Sequence, residues 1–165
     1  MTAGDIGLGI AFYVLALVAV VGAVGLVAVR NLFHAALFLV LSFVAVAGLY
    51  ITLNADFVAA AQVLIYAGAV SILLVFAIML TRDTQQANVG NFQRGWALFL
   101  TALVFVVIVM AISQAVWPLS RDAAPQTTVL PIADLLFNKF VLPFEAASVL
   151  LLAAMVGAIV IARED

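Results

Sequence analysis

Few residues of this chain could do chemistry, and most of them sit in one apolar stretch. Gln62 and Tyr66 are four positions apart, which stacks them on one face of a helix. Gly68 follows, and in mid-helix it costs roughly 1 kcal/mol against alanine. All three belong to the run from Ala59 to Leu80, long enough to cross a bilayer as a helix. Elsewhere, Glu145 is the one carboxylate that could lie inside a membrane, and His34 is the single histidine.

Each of these has a plain structural role. Polar side chains in membrane helices bond to neighbouring helices, typically for less than about 2 kcal/mol, which covers Gln62 and Tyr66. A carboxylate in the first turn of a helix is favoured by the helix dipole, which covers Glu145 after Pro143-Phe144. His34, in the first turn of its span, suits an interfacial hydrogen bond, with proton transfer as the functional alternative because histidine titrates near neutrality. The functional role for the Tyr66–Gly68 pair is conformational. A glycine close to an aromatic residue is a place where one turn can take in an extra residue, and such π-bulges are frequent at functional sites. Forming and relaxing a bulge rotates one part of the helix against the other by about 100°.

The elements that carry these residues follow from composition. Of the 165 residues, 68% are hydrophobic and 8% charged, and the mean hydropathy is +1.37. This excludes a water-soluble domain. The net charge of −2 includes no basic tract for nucleic acid. With no cysteine and one histidine, the chain cannot form a disulfide, an iron–sulfur site, a thiolate zinc site or a bis-histidine haem site from its own side chains. Its apolar first run is too long for a cleavable signal and is preceded by Asp5.

The pattern predicts an all-α integral membrane protein, a single membrane domain over residues 1–165. Five transmembrane helices are expected at about 6–29, 32–53, 57–81, 96–117 and 143–162. Asn54-Ala55-Asp56 reads as a tight turn with Asp56 as N-cap. Residues 84–93 read as a solvated loop, and Trp96 as part of the aromatic belt. The loop 118–142 should carry a short interfacial helix after Pro131, since proline favours the first helical position. Small residues recur every third position from Ala16 to Ala28, a stripe that drifts around the helix and reads as ordinary packing. Ala154, Ala158 and Ala162, with Ala153 and Gly157, form a small-xxx-small face. With five spans, Arg30, Arg82, Arg94 and Arg163 fall on one side and Arg121 and Lys139 on the other. The positive-inside rule then puts the N-terminus outside and the C-terminus in the cytoplasm.

What is missing is informative. Pumps and transporters place ionisable groups inside the bilayer, and here the first four spans centre on none but the Tyr66 phenol. The chain alone offers no proton path across roughly 30 Å of hydrocarbon; it needs partners or does something else.

Asp56-Phe57, the block Gln62 to Val70 and the block Phe76 to Leu80 resemble the third helix of subunit J of bacterial NADH–quinone oxidoreductase, respiratory complex I. Its mitochondrial counterpart is NADH dehydrogenase subunit 6. Asn31 to Ala35 resembles that family's first cytoplasmic turn. Leu136-Phe137, Leu142 to Glu145 and Ala153 to Val160 resemble its last helix. The resemblance implies a membrane-arm subunit near the junction with the quinone-binding arm. Its partners would be the small glutamate-bearing subunit, the quinone-chamber subunit and the lipid bilayer, in a bacterial plasma membrane. It implies a π-bulge in the third helix, tied to whether a water-filled proton path is connected. Tyr66, Gly68 and Val70 are then the coupling residues, with Phe76 flanking them. Gln62 and Glu145 are candidates for a polar path or a helix contact. Some members carry a carboxylate where this chain has Gln62, and an amide cannot titrate. Flavin, iron–sulfur clusters and quinone would sit on partner subunits, leaving this chain a non-catalytic subunit of the enzyme with no cofactor or metal of its own. The run Asn54 to Gln62 also resembles the photosynthetic, ferredoxin-driven, plastoquinone-reducing relative.

The expected function is therefore coupling of quinone reduction to proton translocation through a third helix that switches between α and π forms. A purely structural or assembly role is the alternative; an independent small transporter, with only Glu145 to serve it, is a third.

Overall fold

In a computed structural model the described residues are 3–81, 94–115 and 127–163. Among them the regular elements are all helices. The first helix is Ala3–Ala28 and the second Leu32–Thr52. The third runs Asp56–Leu80, the fourth Arg94–Gln114 and the fifth Val141–Ala162. Each is long and apolar enough to cross a membrane. The expected end of the fourth span at Trp117, the loop 84–93, Arg82 and Arg121 lie outside the described residues.

The helix termini show how the ends are placed. Asn31 caps the second helix: its side-chain oxygen accepts from the N–H of Phe33 at 2.9 Å and of His34 at 3.3 Å. His34 thus enters through its backbone, with its ring edge-on to Phe33. The expected Asp56 cap is not there. Asn54 takes the left-handed conformation, φ 56°, so Ala55 occupies the cap position and Asp56 is already in the first turn. There its carboxylate suits the helix dipole. The missing cap acceptor comes from far along the chain, since the Phe57 N–H donates to Thr128 Oγ1 at 3.1 Å.

Thr128 stands at the N-terminus of the short helix, which is Val129–Asp134 continued by a π turn at Leu135–Lys139. It therefore starts two residues before Pro131 rather than at it. The proline still falls in the first turn, where its missing N–H would have had no helical partner. The last helix likewise begins early, at Val141. That moves Glu145 past the first turn, so the dipole argument for it does not hold.

The second helix is the centre of the packing, with the first helix on one side and the third on the other. Four of its alanines, Ala35, Ala36, Ala45 and Ala47, are buried, as is Ala59 of the third helix. Small residues let the backbones close up. A Cβ on Gly22 would stand 3.0 Å from the Phe38 carbonyl and from Ser42, and one on Gly25 would meet the Phe38 ring at 2.6 Å. Ser42 Oγ donates to the Ala19 carbonyl across the same seam, 3.2 Å. Among the described residues the fourth helix packs on no other, and the fifth meets only the π turn before it. The chain exposes 13791 Å², against about 7,800 Å² expected of a soluble monomer of its mass.

Candidate functional site

The third helix is not one helix type. It is α from Asp56 to Ala61, π from Gln62 to Val70 and α again from Ser71 to Leu80. The nine-residue π segment is broader than the single bulge the sequence suggests. It contains Gln62, Tyr66, Gly68 and Val70 together, while Glu145 lies apart on the last helix, exposed. The segment offers no propensity advantage of its own, because π geometry is rare and appears where something else holds it.

Three local features account for it. At its end the Ser71 N–H donates back to the Tyr66 carbonyl, five residues earlier, and the Ser71 hydroxyl donates to the same oxygen at 2.8 Å. Within it, a Cβ at position 68 would stand 3.2 Å from the Val63 carbonyl oxygen. That contact is tighter than ordinary van der Waals separation, so glycine lets this turn close without displacing a backbone oxygen. Beside it, the Tyr66 ring lies edge-on to Phe43 of the second helix, with centroids 5.5 Å apart and planes at 66°, an arrangement favoured by the ring quadrupoles.

Tyr66 is half-exposed and Val70 exposed, while Gln62 and Gly68 are partly covered. Ser71 is 3% exposed, the one buried polar residue among those described. It lines an open apolar groove of about 360 Å³ with Val40, Ala67, Ile72, Val75, Phe76 and Met79. Sequence reasoning singled out Tyr66, Gly68 and Val70 but passed over Ser71 and Phe43. Ser71 carried a signal, as the lone polar residue between Ala67 and Leu80; Phe43 carried none, as one of twelve phenylalanines in an apolar chain. Among the described residues no cluster of three His, Asp or Glu comes together that could hold a metal. The arrangement can bend, rotate and hydrogen-bond; it presents no group of acids, bases and nucleophiles gathered round a reacting atom.

Five helices long and apolar enough to cross a membrane, with large apolar side chains exposed along them and a π segment within the third, define a multi-pass membrane protein. The chain belongs to the NADH-ubiquinone/plastoquinone oxidoreductase chain 6 family, whose model matches residues 22–161. It is 42% identical over 159 residues to the NAD(P)H-quinone oxidoreductase chain 6 of Leptolyngbya boryana, covering 94% of this chain and 80% of that one. It is 43% identical to the protein of that name in Synechocystis sp., covering 94% and 81%. It is also 38% identical to the F(420)H(2) dehydrogenase subunit J of Methanosarcina mazei, covering 93% and 90%.

Proposed function

We propose that this chain is a membrane-arm subunit of a proton-pumping quinone oxidoreductase of the complex I type, and that its third helix couples quinone reduction to proton movement by changing between π and α forms. The observation that carries this is the π segment Gln62–Val70, built around Tyr66 and Gly68. Tyr66, Gly68 and Val70 form the moving part, and Gln62 is a helix contact beside it. Electrons pass through other subunits, where the flavin, the iron–sulfur clusters and the quinone site reside. The relatives support this division of labour. Chains named for NAD(P)H and for F(420)H(2) are similar to this one at 42% and 38% identity. A subunit acting downstream of electron entry would be shared in that way between complexes with different donors. The partners are the neighbouring membrane-arm subunits, including the small glutamate-bearing one and the quinone-chamber one.

The test is Gly68→Val in the assembled complex. A branched side chain at that position crowds the Val63 carbonyl and should lower the protons moved per quinone reduced, while electron transfer from the donor to an artificial acceptor stays intact. Undiminished pumping in a fully assembled complex would sink the coupling role and leave the scaffold role standing.

A further inference from the structure

Tyr66 is gripped at two points by groups outside the π segment. Its ring rests on Phe43 of the second helix, 5.5 Å between centroids. Its carbonyl takes both the N–H and the hydroxyl of Ser71, the latter at 2.8 Å. The Ser71 side chain is 3% exposed, on a helix whose long packing partner is the second helix. Its bond also has an unusual reach. Apart from Ser42, which bonds across to the first helix, the other hydroxyl bonds along the described helices reach three or four residues back, as from Thr81 to Ala77, Thr101 to Ala97, Ser113 to Met110 and Ser148 to Phe144. Ser71 reaches five back, which the widened turn makes possible. The bond is shielded from water, where a hydrogen bond is electrostatically stronger.

These two contacts are compatible with each other only in the π register. Removing the extra residue from the turn rotates the helix on one side of it by about 100° against the other. If the part before Ser71 turns, Tyr66 leaves Phe43. If the part after it turns, Ser71 leaves its buried place against the second helix. The hydroxyl could then find the Ala67 carbonyl, an ordinary four-back bond, but only after one of the two grips is lost.

We infer that Phe43 and Ser71 are positioning residues that together clamp Tyr66 and hold residues 62–70 in the π form. The clamp is a statement about helix register; its consequence for proton pumping rests on the coupling role proposed above, and the two are separable by experiment.

The test uses the assembled complex carrying Ser71→Ala, Phe43→Leu, both together, or Ser71→Thr, which keeps the hydroxyl. Electron cryomicroscopy of the resting complex gives the ratio of π to α particles in the third helix, and vesicle assays give protons moved per quinone reduced. Each of the first two substitutions should lower the π-to-α ratio about fivefold, the factor typical of one hydrogen bond or one aromatic pair. The double variant should lower it about twentyfold, and Ser71→Thr should retain the π form. Both substitutions are small, and if the double variant does not assemble the single ones decide. A third helix that stays π in Ser71→Ala and Phe43→Leu overturns the clamp, as does a wild-type complex whose third helix is α throughout. A helix that converts to α while pumping is unchanged supports the clamp and overturns the coupling role instead.

Discussion

At position 68 the constraint is a backbone oxygen. The Val63 carbonyl lies 3.2 Å from where a Cβ would sit, so even Gly68→Ala must push it by a few tenths of an ångström. Alanine also favours a regular α-helix over glycine by about 1 kcal/mol. Both effects act against the π form, and Gly68→Ala should move the third helix toward α by roughly fivefold or more, read as the π fraction in images of the assembled complex. At Asn31 the side chain serves two N–H groups. Asn31→Ala should cost about 1 kcal/mol, seen as faster hydrogen exchange at the Phe33 and His34 amides. Tyr66 and Gly68 were legible in the sequence because a glycine and a phenol are conspicuous in an apolar run. Phe43 and the Val63 carbonyl were not, since a contact partner across helices and a main-chain atom leave no mark in the pattern of residue types. Asp56 does not cap for a related reason: the left-handed turn at Asn54 moves the cap by one residue, to Ala55, which side-chain preference alone does not reveal.

Between elements, the seam of the first and second helices depends on glycines that the sequence presented as one drifting stripe. In that stripe Gly22 and Gly25 meet Phe38 and Ser42 at close range, while Gly157, on the separate small-residue face of the last helix, has open space around it. The spacing of small residues told where close approach was possible, and the tertiary arrangement chose where within this chain it occurred. Gly25→Leu would drive a side chain into the Phe38 ring, 2.6 Å from the new Cβ. The expected outcome is a large drop in the amount of this chain recovered in assembled complex. Gly25→Leu combined with Phe38→Ala should restore part of it, because the second change opens the space the first one fills. Equal loss in the single and double variants would show that the seam is not what fails. The short helix before the last span was also legible as an element, yet its start was not. Pro131 marked a helix beginning, but Thr128, two residues further back than the proline signal allowed, sets it through its place beside Phe57.

For the whole molecule, the Phe57–Thr128 bond has a topological consequence. It ties the start of the third helix to the start of the short helix, so residues 54–57 and 127–140 share one side of the membrane. The third helix then carries the chain across, and its end at Leu80-Thr81 lies on the opposite side, with the start of the second helix and Arg30. If chain order holds, four of the six basic residues, Arg30, Arg82, Arg94 and Arg163, would fall on that second side, and we propose from the positive-inside rule that it faces the cytoplasm. The chain has no cysteine, so a single introduced cysteine is the one thiol on this chain once its band is resolved from other labelled proteins, and neither Thr81→Cys nor Thr127→Cys alters the charge balance. In intact cells a membrane-impermeant maleimide should label the cysteine at 127 and spare the one at 81. Inverted vesicles should give the opposite. Labelling of 81 from outside would reverse the orientation, and with it the side on which the N-terminal end of the third helix meets its partners. Labelling of both from one side would contradict the third helix as a membrane span, and the π segment would lose its place at membrane depth.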